Sequence, residues 1–121
     1  MNSSVKYFTP EEANQTLPLV RRIVNDILKT GKDIRGLSLE GSKRPGTEAE
    51  LNRFMEQLDE LFEELESLGC SYKDWNFSEG LVDFPALVDG KEVFLCWRSD
   101  EPEVRYYHDL ESGFAGRKLI K

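Results

Sequence analysis

The sequence is poor in the residues from which common metal and redox motifs are built. Its two cysteines, Cys70 and Cys96, form no Cys-x-x-Cys pair and have no histidine at metal-site spacing. Neither a thiol redox motif nor a structural zinc site is therefore expected. His108 is the only histidine, which excludes a multi-histidine zinc site built from one chain. We interpret both cysteines as reduced core thiols.

Long hydrophobic runs and a secretory signal are also missing. No stretch of about 18 apolar residues occurs, and residues 1–6 lack the hydrophobic segment of a signal peptide. We therefore expect a cytoplasmic protein without a membrane partner. No glycine-rich phosphate loop follows a strand pattern, and no serine lies in a nucleophile elbow. Nucleotide-binding and hydrolase motifs are thus absent.

Basic residues are outnumbered by acidic ones. The chain has 16 Lys and Arg against 23 Asp and Glu, a net charge of −7, which opposes binding to phosphate backbones. No nucleic-acid partner is expected. A length of 121 residues with 39% hydrophobic and 32% charged residues is typical of one globular domain with a charged surface. We predict a single domain over residues 1–121.

Residues 10–68 predict two helices joined as a hairpin. Thr9 and Glu12 have the spacing of a capping box at the start of the first helix. Because Pro18 would clash inside a continuous helix, we predict a short turn and then a longer helix from that residue. Residues 40–46 are rich in turn formers and predict the hairpin tip. The second helix then runs from Thr47 to a left-handed end at Gly69.

Opposite charges on the two predicted helices favour antiparallel packing. Residues 18–37 hold five basic and two acidic side chains, whereas residues 48–68 hold eight acidic side chains and one arginine. Antiparallel packing would place Arg21 and Arg22 beside the glutamates of residues 63–66.

Residues 81–98 predict a two-stranded antiparallel hairpin around Asp89-Gly90. A two-residue turn there pairs Val82 with Trp97 and Phe84 with Leu95, which places the large apolar side chains on one face. A third strand is predicted from Glu103 within residues 80–108, with Val104, Tyr106 and His108 on that core face. The opposite face would then carry a mixed set of side chains: Leu81, Asp83, Phe94, Cys96, Arg98, Glu103, Arg105 and Tyr107.

These elements define the predicted fold class as α+β. A long antiparallel helical hairpin packs with a small three- to four-stranded antiparallel β-meander, and residues 5–8 are interpreted as a short additional strand. The tail, residues 109–121, is too rich in glycine for regular structure. We expect it to fold over part of the mixed face.

Six segments of the sequence carry a resemblance to a known family. They are residues 8–18 (FTPEEANQTLP), 80–86 (GLVDFPA), 95–98 (LCWR), 101–104 (EPEV), 108–109 (HD) and 113–117 (GFAGR). Together they resemble the bacterial family called domain of unknown function 2203 over nearly the whole chain. In that family an aromatic residue, commonly Trp, precedes the His, whereas this chain has Tyr107. The resemblance implies an architecture and no mechanism.

Ionisable residues gather in the strand segment and in the tail that follows it. They are Asp83, Arg98, Glu103, Arg105, His108, Asp109 and Arg117. As a ligand-binding cluster they would offer carboxylates and an imidazole to a divalent metal, and an arginine to an anionic substrate. As a structural cluster they would neutralise one another, because Arg98 is expected opposite Glu103 and diagonal to Asp83. We favour the salt-bridge network.

Two further polar residues have structural interpretations. His108 is expected on the core face, where a backbone carbonyl or Glu12 would satisfy its imidazole. Asn14 is a poor helix former, and we expect its side chain to bond a loop carbonyl.

Two functional hypotheses follow. The first is a small cytoplasmic interaction or scaffold module that acts through its helical hairpin and has a second copy or another protein as partner. We expect a dimer. The second is a domain or enzyme that binds a small ligand or a metal at the polar cluster, with Asp83, Arg98 and Glu103 at its centre. No cofactor and no catalytic residue is predicted. A concave pocket at the cluster would favour the second hypothesis.

Overall fold

The structure, a computed structural model, describes residues 5–40, 46–74 and 77–120. Two helices come first, α1 (Pro10–Glu40) and α2 (Thr47–Leu68), and they pack together as a hairpin. The predicted α+β fold with a helical hairpin is confirmed. The predicted hairpin tip falls on residues 40–46, of which 41–45 lie outside the described residues. No helix of the described ranges is both long and apolar enough to cross a membrane.

The start of α1 is confirmed, but the predicted break at Pro18 is wrong. The Glu12 N–H donates to Thr9 Oγ1 at 3.1 Å, and the Thr9 N–H donates to the Glu12 carboxylate at 3.0 Å, which is a reciprocal capping box. Pro18 lies inside a continuous helix. A mid-helix proline costs about 3 kcal/mol, and the complete burial of Leu17 and Val20 beside it offsets that cost.

The placement of Arg21 and Arg22 beside the acidic end of α2 stays a prediction, and the contacts that the structure gives for Arg21 go to the sheet. Arg21 donates to the Pro102 carbonyl at 3.2 Å, and its guanidinium lies 5.2 Å from the centre of the Trp97 ring. Within the part of the chain that the structure describes, no ion pair joins either arginine to the glutamates of residues 63–66. Arg21 thus contacts the sheet side of the molecule.

Within the described residues, five antiparallel strands form the sheet in their sequence order. They are β1 (Ser71–Tyr72), β2 (Leu81–Val88), β3 (Lys91–Arg98), β4 (Tyr106–Asp109) and β5 (Lys118–Leu119). The two-residue edge strands β1 and β5 extend the predicted meander. Residues 5–8 do not form the expected strand, although the Phe8 N–H donates to the Pro85 carbonyl at 2.7 Å.

The register of the β2–β3 hairpin is confirmed at every position. Val82 pairs with Trp97 and Phe84 pairs with Leu95. Asp89 and Gly90 have φ values of 54° and 77°, and positive φ at both turn residues is the requirement of a type I′ turn. The turn chemistry therefore sets which side chains of the hairpin share a face.

The predicted faces of β4 are wrong. Tyr106 pairs with Cys96, and His108 pairs with Phe94, so Tyr106 and His108 lie on the face opposite the core and Tyr107 packs against the core. The prediction counted an extended strand from Glu103, but β4 begins at Tyr106. Residues 99–105 form an irregular connection, so the alternation of faces does not carry through it.

Asn14 fixes that irregular connection to α1. Its Oδ1 accepts from the Val104 N–H at 2.7 Å, and its Nδ2 donates to the Val104 carbonyl at 3.2 Å. The expected bond from Asn14 to a loop carbonyl is confirmed. Val104 itself is buried in the core, as predicted.

The core lies between the helical hairpin and one face of the sheet, which we call the helix-facing side. Its largest fully buried side chains are Val20, Val24 and Ile27 of α1, Leu65 of α2, and Val82, Phe84, Leu95 and Trp97 of the hairpin. The opposite face, which we call the polar face, carries the residues described next.

Candidate metal centre

Three adjacent strands bring Asp83, Cys96 and His108 together on the polar face. Asp83 of β2 pairs directly with Cys96 of β3, and His108 of β4 pairs with Phe94, two residues along β3 from Cys96. Alternation along each strand turns all three side chains to the same side. Their residues are only 4%, 1% and 3% exposed. The polar face thus buries three potential metal ligands as completely as the core buries its apolar residues.

The ligand atoms of this triad are close to one another. Asp83, Cys96 and His108 each offer one atom, and these atoms all lie within 4.8 Å of one another. His108 Nε2 lies 3.2 Å from Asp83 Oδ1. Across the three described ranges, this is the one group of three or more Cys, His and carboxylate ligands with such spacing.

A backbone carbonyl orients the His108 ring. Nδ1 lies 2.7 Å from the Asp109 carbonyl oxygen. Since a carbonyl can only accept, Nδ1 carries a proton and donates it, which leaves Nε2 pointing at Asp83. Metal-binding histidines are held in this way, with one ring nitrogen donating to a carbonyl and the other free for the metal.

Cys96 lies between an acidic and a basic side chain, those of Asp83 and Arg117. The charges of the Asp83 carboxylate and of the Arg117 guanidinium act on the Cys96 thiol in opposite directions. Burial, helped by the negative charge of Asp83, raises the pKa of Cys96 to about 12. The group is therefore a thiol at neutral pH and is not an activated nucleophile, because a nucleophilic cysteine needs a lowered pKa.

The Asp83 carboxyl group is buried at an electrostatic cost. Burial raises its pKa above the ordinary value, although the neighbouring His108 and Lys73 act in the opposite direction. A buried carboxylate whose partners do not fully offset its lost hydration gains most from a nearby cation.

The tail covers one side of the triad through a buried ion pair, which we call the tail clamp. Arg117 Nη1 and Nη2 donate to the two carboxylate oxygens of Glu101 at 3.0 Å and 2.8 Å. Both side chains are 12% exposed. The Arg117 guanidinium also lies 4.1 Å and 4.2 Å from the ring centres of Tyr106 and Phe114. Contacts with two aromatic rings and a bidentate pair fix the arginine beside Cys96.

The tail is more regular than its glycine content predicts. It contains a 3-10 turn, Phe114–Gly116, and then β5, which pairs with β4. The expectation that it lacks regular structure is wrong, because pairing with the edge of β4 and the tail clamp hold it in place. It does fold over part of the polar face, as expected.

The structure brings only part of the predicted cluster together. Asp83 and His108 meet directly, and Arg117 reaches them through Cys96. Arg98 pairs with Asp100 at 2.6 Å, whereas the exposed Glu103 pairs with Arg105 at 3.0 Å in the connection before β4. The expected opposition of Arg98 and Glu103 does not occur, because the strand begins later than predicted.

Asp109 has a local structural role. Its side chain is exposed at the end of β4, where Oδ1 accepts from the N–H groups of Glu111 and Ser112 at 3.0 Å and 2.7 Å. The hydrogen bonds to Ser112 are the main cause that lowers the pKa of Asp109. Its backbone carbonyl, rather than its carboxylate, contributes to the triad by orienting His108.

Sequence reasoning missed two residues that shape this region. The hairpin register places Cys96 in the same row as Asp83, and this is the available signal. We nevertheless interpret isolated cysteines as core thiols from sequence alone. Glu101 lies in the irregular connection, where neither periodicity nor spacing predicts that it pairs with a residue of the tail.

A cavity of about 270 Å³ opens beside the triad, and we call it the polar cavity. The three triad residues line it together with Lys73, Leu81, Phe94, Leu110, Glu111, Gly113 and Phe114. The concave pocket that would favour a binding function is therefore present at Asp83 and His108.

The fold and the site define a class of protein: an α+β domain with a helical hairpin on one face of a meander and a buried carboxylate, thiol and imidazole on the other. Comparison with protein families matches residues 6–120 to DUF2203, described as an uncharacterized conserved protein. The chain belongs to this family, as its sequence motifs predict. No curated protein and no solved structure matches the chain.

Proposed function

We propose that this protein binds a divalent transition metal, zinc above all, through Asp83, Cys96 and His108. The observation that carries the proposal is the convergence of three buried ligand atoms within 4.8 Å on adjacent strands. The proposal develops the second of the two hypotheses drawn from the sequence, with Cys96 in place of Arg98 and Glu103 at the centre.

The spacing of the ligand atoms fits a tetrahedral zinc ion. Zinc bonds to nitrogen and oxygen of about 2.1 Å at a tetrahedral angle separate the two ligand atoms by about 3.4 Å. His108 Nε2 and Asp83 Oδ1 are 3.2 Å apart. Ligand atoms spread over at most 4.8 Å need only small rotamer adjustments to surround one ion.

The ligand types and their charges favour zinc over the alkaline-earth ions. A thiolate and an imidazole suit a borderline transition metal, whereas calcium and magnesium prefer oxygen ligands alone. An ionised Asp83 and an ionised Cys96 with a neutral His108 would match the charge of a divalent ion. Binding would also remove the cost of burying the Asp83 carboxylate without full compensation.

Neighbouring groups support the ligands. The Asp109 carbonyl holds His108 with Nε2 toward Asp83, and the positive charge of Arg117 would stabilise the Cys96 thiolate. Such outer hydrogen bonds tune affinity by about 10- to 100-fold. Three protein ligands next to an open cavity leave one coordination position for water or another ligand, which is the arrangement of catalytic rather than structural zinc sites.

The competing interpretation is a structural polar cluster, since His108 and Asp83 already lie within hydrogen-bond distance and Cys96 is next to them. Cobalt titration of the chelator-treated protein separates the two interpretations, because cobalt bound to a thiolate gives a sulfur-to-metal charge-transfer band in the near ultraviolet. We expect that band in the wild type, and zinc should displace the cobalt.

Cys96→Ser and Cys70→Ser provide a matched pair of variants. Both cysteines are buried, and burial raises the pKa of each to about 12, but only Cys96 belongs to the triad. Cys96→Ser should abolish the band and weaken zinc binding by at least about 100-fold, whereas Cys70→Ser should change neither. Equal effects of the two substitutions, or no band in the wild type, would refute the metal centre.

The pH dependence gives an independent test. Because the Cys96 thiol has a pKa of about 12 in the metal-free protein, zinc must displace its proton at neutral pH. Zinc affinity should rise about tenfold per pH unit between about pH 6 and 8. Calorimetry in two buffers of different ionisation enthalpy would count the protons released, and a count of zero would exclude a thiolate ligand.

An interaction module is the second candidate, supported by the exposed acidic side chains of α2 and the half-exposed Met55 among them. On this proposal the protein acts in the cytoplasm, where thiols stay reduced, and forms a dimer through its helices. Light scattering at high micromolar concentration tests it. A molar mass near the 14.0 kDa of one chain would rule out the dimer.

A further inference from the structure

The polar cavity contains features that a structural zinc site would not need. It combines the open side of the triad with one ammonium group and two aromatic rings: Lys73 at one wall, and Phe94 and Phe114 at others. Its volume of about 270 Å³ corresponds to about nine water molecules at roughly 30 Å³ each. A compound of about ten non-hydrogen atoms would fill it.

Lys73 provides the cation of this cavity. Its ammonium lies 5.7 Å from the centre of the Phe94 ring, and its charge acts on Asp83. Among the residues that the structure describes, Lys73 forms no ion pair. An ammonium at the wall of a cavity is a ready partner for an anionic group of a ligand.

The nearby arginines are not available in the same way. Both terminal nitrogens of Arg117 donate to Glu101, and Arg98 pairs with Asp100 at 2.6 Å. Glu111 adds a negative charge at the cavity wall. One lysine beside one glutamate suits a ligand of a single negative charge, whereas a phosphate group is bound more typically by several basic groups.

The aromatic walls set the rest of the ligand. Phe94 is half-buried and Phe114 is exposed, with the Arg98 and Arg117 guanidinium groups 5.5 Å and 4.2 Å from the centre of its ring. These contacts fix Phe114 in the tail as a wall of the cavity. An apolar or aromatic body would remove water from both rings and gain from contact with them.

We infer that the polar cavity binds a small monocarboxylate with an apolar body. Its carboxylate lies between Lys73 and the open position of the triad metal, and its body lies against Phe94 and Phe114. This inference rests on the metal centre proposed above and adds the ligand class of the same site.

Cobalt-loaded protein provides the test, with acetate and benzoate as probes. Both anions present the same carboxylate, but only benzoate carries a ring. Each should change the visible absorption bands of the bound cobalt, and benzoate should do so at a concentration about tenfold lower. Inorganic phosphate, the competing anion, should bind more weakly than benzoate.

Two substitutions resolve the parts of the site. Lys73→Met should weaken both carboxylates by about fivefold to tenfold without weakening cobalt binding, whereas Lys32→Met on the exposed face of α1 should change nothing. Phe94→Leu should remove most of the preference for benzoate over acetate. Phe114→Leu serves the same purpose if Phe94→Leu does not fold.

The outcomes distinguish this inference from the proposed function. A thiolate-to-cobalt band that neither carboxylate perturbs would overturn the ligand inference and leave the metal centre standing. Absence of the band itself would overturn both. Phosphate binding tighter than benzoate, or equal losses from Lys73→Met and Lys32→Met, would also reject the monocarboxylate.

Discussion

Each face of the sheet has a fully buried part, and the two buried parts have opposite chemistry. On the helix-facing side, Phe84 and Trp97 are fully buried under the helical hairpin. On the polar face, Asp83, Cys96 and His108 are at most 4% exposed, yet a short tail is their cover. Burial of apolar groups stabilises a fold directly, whereas burial of ionisable groups costs free energy unless they find partners. The comparison predicts that the polar triad contributes less to stability than the apolar core does.

The cover of each face reflects that difference. Helices α1 and α2 present apolar stripes to the sheet, so apolar contact is the main interaction that holds them there, and Asn14 and Arg21 add hydrogen bonds to the connection before β4. The tail is held by the bidentate pair of Arg117 with Glu101 and by pairing of β5 with β4. Substitutions on the two faces should therefore differ in size and in kind, and we order four of them from the largest effect to the smallest.

Trp97→Ala should have the largest effect. It removes a fully buried indole from the helix-facing side and leaves a cavity, so the free energy of unfolding should fall by about 3 to 5 kcal/mol. Urea denaturation of the metal-free protein measures this loss. Trp97→Phe, which keeps the ring but loses the bond from Nε1 to the Glu101 carbonyl, should cost much less. Similar losses for both would show that this hydrogen bond, and not packing, dominates the core face.

Arg117→Met should come next, at about 2 to 3 kcal/mol, because it leaves the buried carboxylate of Glu101 without its cation. The double variant with Glu101→Met removes both charges and should recover much of the loss. A double-mutant cycle in urea measures the coupling between the two residues. If the double variant is no more stable than Arg117→Met alone, stacking of the arginine rather than its charge holds the tail.

Asn14→Ala should cost about 1 to 2 kcal/mol, because it removes two hydrogen bonds to the backbone of Val104. This connection sets which residues of β4 face the polar side. Thermal unfolding compares it with Asn25→Ala, an exposed asparagine of the same helix. Equal melting temperatures for the two variants would deny Asn14 this anchoring role.

Asp83→Asn should change stability least at neutral pH, within about 1 kcal/mol in the metal-free protein. Burial raises the pKa of Asp83 in the folded protein above its ordinary value of 3.8. At pH values between 3.8 and the raised pKa, the folded protein therefore holds more protons than the unfolded chain. Wild-type stability therefore falls as pH rises through this window.

The Asp83→Asn variant has no carboxyl group at position 83 that could titrate. The difference in stability between the wild type and this variant therefore isolates the contribution of Asp83. Relative to the variant, the wild type should be most stable below 3.8 and least stable above the raised pKa. Urea titrations of both proteins from low to neutral pH measure the difference. A wild-type advantage that grows with pH would contradict the assigned cost of burying this carboxylate.

The sequence predicts those parts of the fold that local chemistry determines. Asp89-Gly90 allows positive φ at both turn positions, so the register of the whole β2–β3 hairpin follows from two residues. The capping box of Thr9 and Glu12 likewise predicts the start of α1. In both cases, the interactions join residues close together in sequence.

The sequence-based predictions are wrong where contacts between residues far apart in the chain determine the structure. Packing of α1 on the sheet overrides the local cost of Pro18, and Asn14 shapes the connection before β4 from far along the chain. A prediction that extends the strand from Glu103 without this irregular connection places His108 on the core face. It therefore separates His108 from Cys96 on the polar face. The hairpin register pairs Cys96 with Asp83, and this pairing is the sequence signal that connects the cysteine to the polar cluster.

The positions of the three ligands along the chain have a consequence for folding. All three come from residues 83–108, within a meander whose contacts are local, whereas the bond between Asn14 and Val104 spans 90 residues. Short loops close before long ones because their entropic cost is lower. We therefore expect the ligand set to assemble before α1 docks. A metal ion captured at that stage would speed refolding, and stopped-flow refolding with and without zinc would reveal it.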